Sequence, residues 1–396
     1  MPKRHAVVAG AGIGGLTAAL ALHHRGWRVT VCERAPEPPV TGAGIGLAPN
    51  ALRALDAIGV DAAYAVGGAV PRWMGVRRSA GQWLTRTETA YLASRYGVPP
   101  IAVPRPAFTA ALAAGLPRGT VRYGTAVTGV DDGDGRPTVR TAAGPDLPAD
   151  LVVAADGIRS PLRRAHFPAH PGLHYLGETA WRALVDAPDL RIPAMSETWG
   201  RGARFGVTPL SDGRFYLYAT AVLPAGARSG DPRAELRRRF GSWHDPIPAL
   251  LDRVGRLDPA EVLRNDLYDL AAPLPALHRG RIAWIGDAAH AMAPNLGQGG
   301  CQAIEDAVVL AHLLPRGDGP AGPDGADPVR AALAAYTVAR RDRTDAVRVR
   351  ARRVGRLGAL RGPLTTAARD LAVRATPTRL ALRGMDDLFN GFRLPG

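Results

Sequence analysis

Apolar and polar positions change their spacing several times along the chain, and each change marks an element. Ala6-Val7-Val8-Ala9 is an unbroken apolar run, the pattern of a short strand buried on both faces. It runs into Gly10-Ala11-Gly12-Ile13-Gly14-Gly15 and then into Leu16-Thr17-Ala18-Ala19-Leu20-Ala21-Leu22, a helical segment that Gly26 ends. Arg28–Cys32 predicts a second strand, which closes on Glu33-Arg34. Between Tyr175 and Val222 the pattern turns to alternation and predicts an antiparallel sheet. Its strands are 179–185, 196–200, 203–208 and 214–220, with a turn at Ser211-Asp212-Gly213. Residues 230–255 read as helix, and 316–327 as a surface loop of Gly, Pro and Asp. Beyond it lie Arg-rich amphipathic helices, interrupted at Gly362-Pro363 and at Pro377. The sequence carries no internal repeat.

At 396 residues the chain has room for two or three domains, and 46% apolar with 21% charged residues excludes disordered and collagen-like classes. Cys32 and Cys301 can make neither a disulfide scaffold nor a Cys-rich zinc site, and no His/Cys/Asp/Glu group has metal-ligand spacing. No metal is expected. A membrane span needs about 20 consecutive apolar residues, and Gly, Pro or Arg interrupts every candidate. Lys3-Arg4-His5 ahead of an apolar run imitates a signal peptide, but the glycine spacing inside the run accounts for it. The expected location is cytoplasmic.

The net charge of +15 rests on arginine, Lys3 being the single lysine, and 15 Arg against 5 Asp fall between Pro328 and Gly396. Such a footprint can serve nucleic acid or an anionic membrane. These arginines lie at helical spacing among Ala, Leu and Val, with few aromatics to stack bases, so nucleic acid is not expected. They are spread round the helices rather than gathered on one face, so membrane contact is not expected either.

The first glycine-rich segment is G-x-G-x-x-G inside a complete strand–helix–strand start, with an acid 18 residues beyond its last glycine. Gly10 permits the tight turn, Gly12 lets a pyrophosphate approach the backbone, and Gly15 lets helix and strand pack closely. The helix N-terminus offers free N–H groups and positive dipole to the anion, and Ile13 within the turn is a further expected cofactor contact. Glu33 would accept hydrogen bonds from the adenosine ribose, and Arg34 lies beside it. At this point NAD and FAD both fit.

Three further segments narrow the choice: 41–52 with Gly44, 150–160 with Asp156-Gly157, and 285–300 from Ile285-Gly286-Asp287 through Pro294-Asn295-Leu296-Gly297-Gln298-Gly299-Gly300. Asp287 follows an apolar strand, so its carboxylate sits at a strand's C-terminal end, where open α/β sheets bind ligands. Residues 294–300 lack Cβ at three of seven positions and open a helix, whose free N–H groups suit an anionic edge of a ligand. With the N-terminal motif, these segments resemble the class A flavoprotein monooxygenases, the para-hydroxybenzoate hydroxylase-like family. The resemblance is strongest to the branch of salicylate, 3-hydroxybenzoate and urate hydroxylases and zeaxanthin epoxidase, and it covers roughly residues 5–390.

The resemblance implies an α/β fold: an FAD-binding Rossmann-like domain of the glutathione reductase type, with an inserted antiparallel-sheet substrate domain and C-terminal helices. On that plan 1–70, 101–170 and 281–327 make the discontinuous FAD domain. Residues 71–100 and 171–280 make the substrate domain, and 328–396 the C-terminal region. It implies FAD as cofactor, NADPH or NADH as reductant, and O2, with a flavin C4a-hydroperoxide oxygenating an aromatic or alkene small molecule. It places Gly44, Arg105, Val127, Asp156, Asp287, Pro294, Gly297, Gly299 and Gly300 at the flavin, Arg105 near the ribityl-pyrophosphate and Val127 by its backbone on adenine. Asp156-Gly157 also reads as an ordinary turn, and Val127 as plain strand. Some members take reduced flavin from a separate reductase, the partner protein the resemblance allows.

On the substrate side, a three-residue turn setting Leu210 opposite Arg214 puts Arg204, Thr208, Tyr216, Tyr218 and Thr220 on one face, while a one-residue bulge would reverse this. Arg204 matches an arginine that positions anionic substrate in urate-hydroxylase-like members. The candidate catalytic residues are Arg204 as anion or oxygen anchor, Tyr216 as hydrogen-bonding orienter, and Arg182. Solvated arginines and a packed core tyrosine are the competing reading. The expected pocket offers no evident His or Glu base, which leaves epoxidation, or an already nucleophilic indole or enol, beside phenol hydroxylation. His290 reads as structural. The halogenase W-x-W-x-I-P motif is missing, and a basic membrane-surface flavoprotein without oxygenase activity is the alternative of another class.

Overall fold

Four sheets organise the computed structural model, which describes residues 3–39, 43–133, 135–227, 230–319 and 327–396. Thr41 and Gly42 of the second glycine-rich segment lie outside the described residues, as does most of loop 316–327. The N-terminal apolar run forms strand His5–Ala9, buried throughout, inside a six-stranded sheet. The order is His278–Arg279, Ile282–Trp284, Leu151–Ala154, His5–Ala9, Arg28–Cys32, Val121–Arg122, parallel except for the first pair. Helix Ile13–His24 packs between this sheet and helix Gly299–Leu313, which explains why both are apolar nearly all round. Val127 opens the first strand of a small antiparallel sheet, and Gly44–Leu47 pairs with Ile101–Pro104.

The alternating region forms a seven-stranded sheet ordered Leu263–Leu270, Leu173–Asp186, Arg214–Val222, Ala203–Pro209, Ala194–Trp199, Trp73–Arg78, Trp83–Glu88. Its neighbours are antiparallel apart from the parallel pair Ala194–Trp199 and Trp73–Arg78. One face buries Trp181, Ala183, Val185, Phe205, Val207 and Leu217 against helices Pro232–Phe240 and Ile247–Val254. The architecture is therefore α/β, with a Rossmann-like layer, an inserted sheet that is mostly antiparallel, and C-terminal helices.

The hairpin register meets the condition set by the sequence. Leu210 N–H donates to the Arg214 carbonyl (2.9 Å), Arg204 lies opposite Thr220, and Thr208 opposite Tyr216. No bulge interrupts that pair, so Arg204, Tyr216 and Tyr218 share the face turned away from the two helices. Arg182, opposite Tyr218 on the neighbouring strand, joins them.

The C-terminal helices are Pro328–Gly358, Pro363–Ala375 and Thr378–Phe389, broken where the sequence has Gly362-Pro363 and Pro377. Several of their arginines do not face solvent. Arg340 is 2% exposed and donates to Asp306 (2.7 Å), Glu305 (2.5 Å) and the Gln302 side chain (2.7 Å). Arg343 also reaches Glu305 (2.8 Å), and Arg352 forks onto the fully buried Asp269 (2.7 and 2.8 Å). Part of the basic excess is thus internal counter-charge: Arg340, Arg343 and Arg352 face acids of the preceding domains, a use that composition does not reveal.

Replacing Arg340 by Leu leaves Glu305 and Asp306 without their main buried counter-ion. Urea denaturation should show a loss of about 3–5 kcal/mol, the usual cost of stranding a buried charge. Burial alone would raise the Asp306 carboxyl, but the His290 ring, Arg340 and the Gly286 N–H hold it down, to about 2 against an ordinary 3.8. Its folded pKa lies below its unfolded one, so its contribution is complete above about pH 4 and fades as pH falls toward 2. Stability measured across that range should decline in the native protein and decline less steeply in Asp306→Asn.

Candidate flavin site and the sheet that faces it

The glycine turn is shaped by contacts that forbid side chains at two positions and leave a third open. Gly10 has φ +108°, and a Cβ there would stand 2.4 Å from the Ala155 carbonyl oxygen. A Cβ on Gly15 would stand 2.0 Å from the Gly10 carbonyl oxygen. Gly12 is extended and caps helix Ile13–His24 without a side-chain bond, and nothing lies within 4 Å of where its Cβ would be. The open approach to the helix N-terminus is therefore at Gly12, as pyrophosphate binding requires.

Glu33 follows the second strand, and its two oxygens accept from Ala11 N–H (2.8 Å) and Ala35 N–H (2.9 Å). Those bonds fix the carboxylate beside the turn, and each oxygen retains a lone pair for a hydroxyl. Arg34 next to it is exposed. Asp156 accepts from Leu162 N–H (3.3 Å) through one oxygen, while its other oxygen is buried with no partner. Burial raises this carboxyl, against hydrogen bonds from Ser160 and Leu162.

Asp287 follows strand Ile282–Trp284 after Gly286, and its carboxylate has no hydrogen bond among the described residues. The residue keeps an exposed surface, yet the dense protein around its carboxyl raises it by desolvation, against the pull of His290, Arg105 and Arg163. Arg105, at the head of helix Arg105–Ala114, is exposed; its backbone N–H donates to the Ala43 carbonyl (3.0 Å), and its guanidinium has no hydrogen bond among the described residues. Pro294 starts a single 3-10 turn that ends at Gly297 with φ +62°, and Gly299 begins the long helix. The Cβ positions of Gly297 and Gly299 are open, that of Gly299 lying 3.9 Å from an Asp287 oxygen. Gly300 is a packing residue instead, since a Cβ there would meet Ile45 at 2.7 Å. Gly44 likewise is where the second sheet docks: its Cβ would stand 2.6 Å from the Tyr216 Cβ.

His290 Nε2 lies 2.5 Å from an Asp306 oxygen, and its Nδ1 is buried without a partner among the described residues. Behind the loop, Asn50 donates to Gln298 (3.0 Å) and Glu305 (2.6 Å), a polar brace with no counterpart in the sequence expectations.

Arg204, the expected anion or oxygen anchor, is engaged within the protein. It is 2% exposed, and its guanidinium already donates to both Glu178 oxygens (2.9 and 3.0 Å), Thr220 (3.1 Å) and Asn295 (2.5 Å). Glu197 stands 3.7 Å away. Burial would lower this arginine, but the two glutamates outweigh it and raise it. Tyr216 is half-buried beside Arg182 and is raised by burial. Trp181 and Phe205 face the helices, whereas Trp199 shares the face of Arg204. The absence of a carboxylate expected for this pocket is also corrected. Glu178 and Glu197 both lie on that face, and Tyr218 donates to Glu197 (2.6 Å).

An open glycine turn, the Glu33 carboxylate fixed beside it, an orphaned buried Asp156 oxygen, and Asp287 and Arg105 side chains without hydrogen bonds suit a dinucleotide carrying hydroxyls and phosphates. A family model described as FAD binding domain matches residues 3–328. The chain belongs to the FAD binding domain family. This flavoprotein is 36% identical over 354 residues to the aurachin C monooxygenase/isomerase of Stigmatella aurantiaca, spanning 89% of each chain. It is 32% identical over 391 residues to the 2-heptyl-3-hydroxy-4(1H)-quinolone synthase of Pseudomonas aeruginosa, spanning 97% of each. The solved Klebsiella pneumoniae HpxO with FAD and uric acid superposes with TM-score 0.88 at 31% identity, over 99% of this chain and 98% of that one. The flavoprotein is accordingly an FAD-dependent monooxygenase, an oxidoreductase drawing on NAD(P)H and O2. No helix among its described residues is long and apolar enough to cross a membrane, and none of its described His, Cys, Asp and Glu residues cluster as a metal site.

Gly12→Ala isolates the ligand's demand from the fold's, because the added Cβ meets no protein atom. The variant should keep its stability within about 0.5 kcal/mol while its Kd for FAD rises at least about tenfold, as read by FAD titration of the apoprotein.

Proposed function

We propose that the protein hydroxylates an electron-rich aromatic or heteroaromatic small molecule held between the glycine loop 294–300 and the polar face of the seven-stranded sheet. The observation that carries this reading is the bond from Arg204 on the sheet to Asn295 in the loop, which brings the two surfaces together. FAD, when bound, supplies the transfer of reducing equivalents from the nicotinamide and the activation of O2. The chain's own groups bind, orient and exclude water. Asp287 and Glu33 would hold ribose and ribityl hydroxyls, Arg105 the pyrophosphate, and the N-terminus of helix Gly299–Leu313 would favour negative charge at the ring it faces. Tyr216, half-buried beside Arg182, is the orienting hydroxyl, its burial keeping the proton on the phenol and so available to donate. Two free, buried cysteines support a reducing, cytoplasmic setting.

The purified protein should be yellow, and anaerobic NADPH or NADH should bleach its flavin band faster when a heteroaromatic substrate is present. Tyr216→Phe should lower kcat/KM for that substrate about threefold to tenfold, the loss expected for one neutral hydrogen bond, with flavin content unchanged. Bleaching that requires an added flavin reductase would assign the reductant to a partner protein. A protein that neither carries nor binds FAD would end this reading.

A further inference from the structure

Four ionisable groups meet on the flavin-side face of the sheet, and their pairing decides what that face can recognise. Arg204 and Glu178 form a buried ion pair, 2% and 3% exposed. Glu197 is 19% exposed and stands outside that pair, with Arg204 3.7 Å away. One Glu197 oxygen accepts from the Trp199 indole N–H and the other from the Tyr218 hydroxyl (2.6 Å), so the carboxylate is held in one orientation. The backbone makes this reach feasible: Tyr218 and Glu197 sit on either side of Gly206 in register, and a Cβ on Gly206 would stand 2.0 Å from the Tyr218 ring. The tyrosine lies across the glycine to arrive at the carboxylate. Arg182, opposite Tyr218 and beside Tyr216, is the remaining cation on the face. Two acids and two arginines therefore balance; Arg204 and Glu178 are sealed, while Glu197 and Arg182 are partly open.

We infer that Glu197, oriented by Tyr218 and Trp199, is the specificity-determining acceptor of the substrate pocket, and that it selects a neutral heteroaromatic bearing a ring N–H or hydroxyl donor over an arene carrying its own anion. The inference rests on the function proposed above. A donor on the substrate would complete the lone pairs that Tyr218 and Trp199 leave on Glu197, in a charge-assisted hydrogen bond. An anionic arene donor-paired to Glu197 would meet a like charge there, and the arginine nearest that carboxylate, Arg204, is already satisfied by Glu178, which leaves only Arg182, across the strand pair beside Tyr216, to offset it. Recognition here works by a repulsive element as much as by an attractive one.

The test uses the FAD-loaded protein and two probes of similar size, neutral 4(1H)-quinolone and anionic salicylate, with binding read from perturbation of the flavin absorption bands. The native protein should bind the quinolone at least about tenfold more tightly than salicylate. Glu197→Gln keeps the shape and removes the charge. It should weaken quinolone binding about tenfold, the difference between a charge-assisted and a neutral hydrogen bond, and leave salicylate binding equal or stronger. Glu197→Asp, which keeps the charge, should retain a preference for the quinolone. A native protein that binds salicylate as tightly as quinolone, or binds neither, overturns the inference, and so does a ratio unchanged by Glu197→Gln. Failure to load FAD in the native protein would instead count against the proposed function itself.

Discussion

A guanidinium enclosed by two carboxylates on one turn of helix fixes the parts of the flavin cleft relative to one another. Arg340 reaches from the long C-terminal helix to Glu305 and Asp306, which are successive residues of the helix that begins at the glycine loop. Asp306 then holds the Gly286 N–H (2.9 Å) and His290, and so sets the turn from which Asp287 projects. Glu305 holds Asn50, which braces Gln298 at the mouth of the same helix. One buried network thus aligns the loop, the strand end and the second glycine-rich segment. A buried ion pair is weak evidence of net stability, because desolvation offsets much of the attraction. Its consequence here is geometric, since each polar group has one satisfactory position.

The second sheet depends on parity in the same way. Antiparallel pairing without a bulge places every other residue against helices Pro232–Phe240 and Ile247–Val254, and the rest toward the cleft. Once apolar residues take the helix side, Glu178, Arg182, Glu197, Arg204, Tyr216 and Tyr218 must share the other. A one-residue slip would bury these charges against Phe240 and Leu250. The core that holds the sheet to its helices therefore also collects its polar face. Tyr216 seated against Gly44 and Arg204 bonded to Asn295 then fasten that face to the flavin side.

What could be read from the sequence follows from how local the constraint is. The glycine turn, Glu33 and Asp287 are legible because backbone geometry at a strand end admits few residue types, and those types recur at short spacing. The hairpin face was legible from alternation once the turn length was assumed. Arg204 was placed on the correct face but its chemistry was not legible, because its partners lie 26 and 91 positions away. Glu178 shares parity with Arg182 and was missed because the strand extends farther toward the N-terminus, to Leu173, than the alternating run suggests. Glu197 shares parity with Trp199, but its meeting with Tyr218 turns on the missing side chain at Gly206, a pairing visible only across strands. The Asn50–Gln298–Glu305 brace spans 248 and 255 positions and left no local signal.

The charge composition invites an outward explanation, and the structure gives an inward one. Arginine presents five donors in a planar fork, so a single side chain can bond several acceptors at fixed angles, whereas a lysine ammonium is a compact point charge. Arg204 bonds Glu178, Thr220 and Asn295; Arg340 bonds Glu305, Asp306 and Gln302; Arg352 takes both oxygens of Asp269. Each of these acceptor sets belongs to an element that borders the cleft or supports one that does. A chain with almost no lysine can build such multi-acceptor joints throughout, and here they tie the C-terminal helices and the inserted sheet to the flavin layer. Arg340, Arg343 and Arg352 of the last 69 residues therefore help to hold these surfaces in register, and the basic residues there have to be counted with the acids they face before any is assigned to an external partner.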